Sequence, residues 1–296
     1  MSAISVETAG PVDRGLGATS WGPIALCAVF FVVLFAKPAQ LLALDWWNDP
    51  EAGHGLLLAP VAIWLAWQKG LLPERRGNPG LGLVLVISAV VVRVLSELAA
   101  ELFTMRISMV GAGVGLVVFA AGVRQALAWW LPILLLGLSV PLPDLIVSSI
   151  TLPLQFKASE MGAALLEWRG VPVRLTGNVI LLPGHRLFVT EACSGLRSLT
   201  ALLALGVLIG GLWLRRPVAR IILLAVAIPI AIAINGVRVF LTGFLVYFVD
   251  PKLGDGFLHM TEGWLLFLVS FVMISLTAWL IRSVENKLVR RLDDTR

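Results

Sequence analysis

Charge is what this chain has least of. Only 14% of its 296 residues are Asp, Glu, Lys or Arg, against about 25% in an average soluble domain. Hydrophobic residues make up 58%, where about 45–50% is usual, so a charged, water-facing globule is excluded. Histidine is scarce too. His54, His185 and His259 are the three, with no matching cysteine or carboxylate cluster, and no metal site is expected. His54 and His185 read as loop residues. No cofactor motif is present, so no cofactor is expected. The net charge of +5 comes in short clusters between apolar blocks, with no dense Lys/Arg run mixed with aromatics, and this excludes nucleic acid as a partner. There is no repeat of fixed period and no low-complexity tract.

What remains is a succession of apolar blocks of about 20 residues, long enough to cross a bilayer. They predict an all-α polytopic membrane protein with about eight transmembrane helices. The spans fall at about 21–44 (bent at Pro38), 56–67, 81–98, 105–122, 124–140, 193–213, 221–248 and 257–281. Arg93, inside the third, is read as snorkelling to the nearer surface. Residues 1–20 are polar and nearly uncharged, which predicts a disordered cytoplasmic lead rather than a cleaved leader. Residues 21–282 form the membrane domain, and 283–296 a basic cytoplasmic tail.

Residues 141–192 break the pattern. The segment 145–168 is apolar on one side and carries Lys157, Glu160 and Glu167 on the other, which predicts an interfacial amphipathic helix. Short alternating runs over 171–189, separated by Gly177-Asn178 and Pro183-Gly184, predict a small β-meander on the outer side. The basic loops (Lys69/Arg75/Arg76, Arg124, Arg215/Arg216/Arg220 and the C-terminal tail) then all fall on one side, which the positive-inside rule makes cytoplasmic.

This topology brings chemistry together. Cys193 opens the sixth span on the outer side, Asn235 and Arg238 lie in the outer half of the seventh, and His259 opens the eighth. Cys27 sits near the opposite end of the first span, too distant in depth to form a disulfide with Cys193. Cys193 is therefore a lone thiol, a candidate nucleophile when positive charge raises its thiolate fraction. Asn235 and Arg238 are i,i+3 neighbours, as are His259 and Glu262, while Arg197 is i+4 from Cys193. The set suits attack on a peptide carbonyl: His259 as acid/base oriented by Glu262, Arg238 or Arg197 at the oxyanion, and Asn235 and Ser194 in support. The plainer readings are packing for the cysteine and an interfacial position for the histidine. An intramembrane arginine is harder to explain away.

Three blocks carry a resemblance: Glu191-Ala192-Cys193-Ser194-Gly195-Leu196-Arg197-Ser198, Asn235-Gly236-Val237-Arg238-Val239, and His259-Met260-Thr261-Glu262-Gly263-Trp264. Through them the chain resembles the exosortase/archaeosortase family of membrane transpeptidases. Pro141-Leu142-Pro143, Leu152-Pro153-Leu154-Gln155, Gly177-Asn178-Val179-Ile180 and His54-Gly55-Leu56 follow in family order, so the likeness covers about residues 45–270. It implies Cys193, Arg238 and His259 as catalytic residues. The implied substrates are exported proteins ending in a Pro-Glu-Pro motif, a transmembrane helix and a basic cluster. The implied location is a bacterial inner membrane with the site facing the periplasm and lipid around it. The competing expectations are a hydrolytic intramembrane cysteine protease and a non-enzymatic transporter or scaffold for exported polymer.

Overall fold

The computed structural model describes residues 21–49, 52–189, 196–250 and 257–294; within these, the side chains of 21–28, 144, 151, 196–199, 257–264 and 289–294 are outside the description. The cytoplasmic lead expected over 1–20 lies outside the described residues. The helices are α1 (Trp21–Asn48), α2 (Gly55–Lys69), α3 (Pro79–Leu98), α4 (Leu102–Ala121), α5 (Val123–Ala128), α6 (Trp130–Leu138), α7 (Asp144–Trp168), α8 (Leu196–Trp213), α9 (Pro217–Phe248) and α10 (Phe257–Asp294). Between α7 and α8 lie β1 (Arg174–Thr176), β2 (Val179–Leu182) and β3 (His185–Phe188).

Among the described residues five helical stretches are long and apolar enough to cross a membrane: Val29–Asn48, Pro79–Leu98, Leu102–Ala121, Pro217–Phe248 and Leu265–Leu288. The chain is thus a multi-pass membrane protein, mostly helical. Two further apolar helices are shorter, Gly55–Lys69 and Thr200–Trp213. With 15 residues, α2 rises about 22 Å, less than the ~30 Å of a hydrocarbon core.

Prolines shape the first half, and polar side chains repair what they leave. A proline inside a helix has no N–H for the carbonyl four residues back. In a membrane such a carbonyl needs a partner within the protein. Pro38, inside α1, leaves the Leu34 carbonyl open, and Arg93 Nε donates to it. Arg93 is 8% exposed and also pairs with Glu97, which Lys37 of α1 holds as well. It is therefore a buried clamp between α1 and α3, not a snorkelling side chain. Pro132 opens the Ala128 carbonyl in the same way, and Lys69 Nζ donates to it at 2.9 Å. There the expected fifth span is broken at Trp129 into α5 and α6.

The two ends of the bundle are distinct. At one end Leu72 N–H donates to Gln125, while Gln125 and Trp129 both donate to the Gly70 carbonyl. The Arg220 guanidinium stacks 4.6 Å over the Trp130 ring. Glu285, 7% exposed, accepts the backbone N–H groups of Arg215 and Arg216. The basic loops that the sequence assigns to one side are thus tied together. Glu285 lies in the segment read as a tail, yet α10 continues unbroken through it to Asp294. At the other end the Trp46 indole donates to the Ser139 carbonyl and His54 Nε2 lies 3.2 Å from the Leu138 carbonyl. His54 is a cap residue of α2, and His185 opens β3.

The β-meander forms as expected, in the order β1-β2-β3, both pairs antiparallel. Thr176 pairs with Val179 and Leu182 with His185. Each hairpin closes on two residues, with Gly177 and Gly184 at φ +63 and +77, a region glycine enters without strain.

The helix α7 departs from expectation. Gly162 faces Val239 and Phe240, Met161 faces Gly236, and Leu166 faces Gly243. The register advances together on both helices, so α7 runs alongside α9 in the same direction. An interfacial helix lying flat on the bilayer would cross α9 steeply instead. Its apolar side (Ala158, Ser159, Gly162, Ala163 and Leu166) is buried against protein, while Lys157 and Glu160 pair in the open at 2.7 Å. Amphipathicity specifies that one face is dry, not whether lipid or protein covers it.

The Arg93–Leu34 bond is checkable as a coupling. Arg93→Met leaves the Leu34 carbonyl orphaned and is expected to cost about 1–3 kcal/mol. In a Pro38→Ala background α1 regains its own N–H donor, and the same change costs less. Thermal unfolding in detergent of the two single variants and the double variant reads that difference; equal costs in both backgrounds overturn the assignment.

Candidate active site

Of the residues singled out in the sequence, Cys193 and Ser194 lie outside the described residues. Arg197 falls in the first turn of α8, and His259 and Glu262 in the first two turns of α10; their side chains lie outside the description. Asn235 and Arg238 are described, one turn apart on α9.

The helix packing fixes levels around them. Gly206 of α8 faces Leu224 of α9, and Gly210 faces Leu223 and Arg220, as two antiparallel helices joined at residues 214–216 require. Both rise about 1.5 Å per residue, so Leu196 at the head of α8 stands level with Ile234 and Asn235. On the other side, Val189 is buried in one apolar cluster with Ala158 of α7 and Val239 of α9. Asn178 fastens it there: its amide donates to the Val189 carbonyl at 3.1 Å and to Gln155 of α7 at 3.3 Å, and its own carbonyl accepts Val189 N–H. The chain therefore leaves β3 and re-enters α8 beside the same stretch of α9.

That stretch is unusual for a helix seam. Asn235 is 4% exposed and Arg238 half-buried. Across from them on α7, Gln155 is 5% exposed and Ser159 fully buried. Sequence reasoning missed Ser159. Its signal was the recurrence of small or polar residues (Gln155, Ala158, Ser159, Gly162, Ala163) at three- and four-residue spacing, which marks a close helix contact.

A cavity of ≈ 710 Å³ opens next to this seam, towards the first half of the chain. Asp45, Asp49, Glu101 and Arg106 bring its charges and His54 an imidazole, and Thr200 and Leu203 of α8 form one wall. Arg106, 4% exposed, pairs with Asp45 at 2.7 Å. The sequence reading passed over Arg106, though an arginine near a predicted span end with an acidic turn nearby is the pattern of a buried pair. Glu101 caps α4 by accepting the N–H groups of Phe103 and Thr104 and the Thr104 hydroxyl. Burial pushes the Glu101 carboxyl up. The Thr104 hydroxyl, the two amides and the nearby Arg106 charge outweigh it, so the pKa is lowered.

The fold is that of a helical membrane protein with a small sheet docked beside two long helices. Residues 46–276 match the family model of transmembrane exosortases, and the chain belongs to that family. The match takes in Cys193, Arg238 and His259. It makes the chain, at family level, a membrane sorting enzyme of the cysteine transpeptidase kind. No curated protein and no solved structure matches the chain.

The Glu101 cap sets a pH dependence. A carboxylate with a lowered folded-state pKa stabilises above its unfolded pKa and loses that contribution as pH falls through the folded one. Wild type is expected to lose thermal stability below about pH 4.5, near the ordinary glutamate value. Glu101→Gln is expected to show a shallower decline there, measured by thermal unfolding from pH 7 to pH 3.5. Parallel curves overturn the assignment.

Proposed function

We propose that this exosortase cleaves the C-terminal sorting tails of exported proteins through a thioester on Cys193. The Cys193 thiolate attacks the scissile carbonyl, forming the C–S bond. The His259 imidazolium, oriented by Glu262, gives its proton to the leaving amine as the C–N bond breaks. The Arg238 guanidinium favours thiolate at Cys193 and negative charge on the carbonyl oxygen. The thioester then passes its acyl group to an incoming amine, or to water. The substrates are proteins ending in a Pro-Glu-Pro motif, a transmembrane helix and a basic cluster.

One observation carries the reading. Val189 is buried beside α7 and α9, and Leu196 heads α8 level with Asn235, so both residues lie at the α7–α9 seam that holds Asn235 and Arg238. Cys193 lies between these two residues in the sequence, which supports the reading. His259 opens the helix that follows the end of α9.

The eight passes are α1, α2, α3, α4, the α5–α6 pair, α8, α9 and α10. With the tied basic loops at the cytoplasmic end, the site faces the periplasm of an inner membrane. The docked sheet then stands where a substrate helix arriving laterally presents its extended motif.

Co-expression with a tagged substrate bearing the three-part tail tests this. Wild type is expected to shorten the substrate, and Cys193→Ala to leave it at full length, with loss of at least about 10³-fold in rate. Processing that persists in Cys193→Ala ends the proposal. Mass analysis of the new carboxyl end separates transfer, which adds mass, from hydrolysis, which leaves a free carboxylate.

A further inference from the structure

Among the described residues, Asn235 Nδ2 and Ser159 Oγ are buried polar atoms at the α7–α9 seam with no hydrogen-bond partner. Asn235 is 4% exposed and Ser159 0%. An orphaned buried donor is destabilising, and the large majority of buried side-chain polar atoms in folded proteins find partners. The close contacts at this seam show that the two orphans share one locality. Met161 presses on Gly236, where a Cβ would lie 2.6 Å from its sulfur, and Gly162 presses on Val239. Continuing that register sets Ser159 opposite Asn235 and Gly236. No aliphatic residue replaces either orphan, although the seam is otherwise tightly packed.

The surroundings are arranged around this spot rather than around the orphans' own bonding. Gln155, one turn before Ser159, engages Asn178, and Asn178 secures the carbonyl of Val189. Thr242 Oγ1 donates back to the Arg238 carbonyl. The head of α8 stands level with Asn235. A neutral amide donor held in a dry seam, its acceptor missing, is preorganised for an oxygen that arrives with the substrate.

We propose that Asn235 is a catalytic residue, the N–H donor that meets the oxyanion. This rests on the thioester reading above. As the sulfur adds to the carbonyl carbon, the C=O π pair moves onto oxygen, and Asn235 Nδ2–H donates to it. On collapse the pair re-forms C=O and the C–N bond breaks, the leaving nitrogen taking its proton from His259. Arg238, more exposed, acts through its charge on the thiolate and the substrate. Asn235 supplies a short-range directional bond, worth more in the drier position.

The test uses the full chain in detergent micelles or proteoliposomes. Asn235→Leu keeps the side-chain volume and removes the donor. Its kcat is expected to fall about 10²–10³-fold, with KM changed less than about threefold. Because the donor is unpaired in the resting protein, the thermal midpoint is expected to hold or rise. A residue kept for packing or hydrogen bonding would instead lower it. A peptide aldehyde, which forms a hemithioacetal with the thiol, is expected to bind Asn235→Leu more weakly by a factor close to that lost in kcat. The matching peptide alcohol, which forms no such adduct, is expected to bind both proteins alike. Alkylation of Cys193 by iodoacetamide is expected to proceed at the wild-type rate. Unchanged kcat, or equal losses for aldehyde and alcohol, overturns the inference. If Asn235→Leu fails to fold, Asn235→Ala and Asn235→Ser take its place in the same comparison. Cleavage that survives Cys193→Ala would instead overturn the thioester reading, and the two failures are therefore distinct.

Discussion

The close approach of α7 to α9 is the contact on which the rest of the candidate site depends. Gly162 and Gly236 have no side chain, and any Cβ there would overlap Val239 or Met161. Their absence lets two helices running in the same direction lie nearly backbone to backbone. With α7 held there, Gln155 and Asn178 fasten the exit of β3 to the seam, and the sheet is fixed beside α9. Without it, the sheet would lose the anchor that sets it beside α9. The end of β3 and the polar stripe of α9 meet through this interface, and the head of α8 joins them through its own packing on α9.

A second constraint governs the first half. In lipid no water serves an open carbonyl, so each helix-interior proline creates an obligation elsewhere in the protein. Arg93 meets the one made by Pro38, and Lys69 the one made by Pro132. Each bond also joins two segments distant in the chain. The prolines thus convert local backbone defects into specific long-range pairings, at positions where uniform apolar helices would be free to slide. The short helices α2 and α6 pack together this way with α8, and the charged cavity opens beyond their outer ends.

Much of this was readable beforehand, and what was not has physical reasons. Apolar block length and turn residues located the helices and the meander, since both signals are local. The level shared by Asn235, Arg238 and the start of α8 followed from counting crossings. The course of α7 did not, because its amphipathic pattern is the same against lipid or against protein. Arg93 was misread for a related reason: a lone arginine in an apolar run looks like a snorkelling one until Pro38, on another helix, is seen to leave a carbonyl open. Ser159 was invisible because a serine among alanines and glycines is an ordinary packing residue unless its missing bond is known. The break at Trp129 was legible in retrospect from Pro132 and Lys69 together, but neither alone would specify it.

The carboxylate of Glu285 reaches from the far part of α10 to the turn linking α8 and α9. The helices α8, α9 and α10 are thus joined at one end. They share an apolar core along their length. Such a tripod is braced at its base by one carboxylate, independently of the α7–α9 contact.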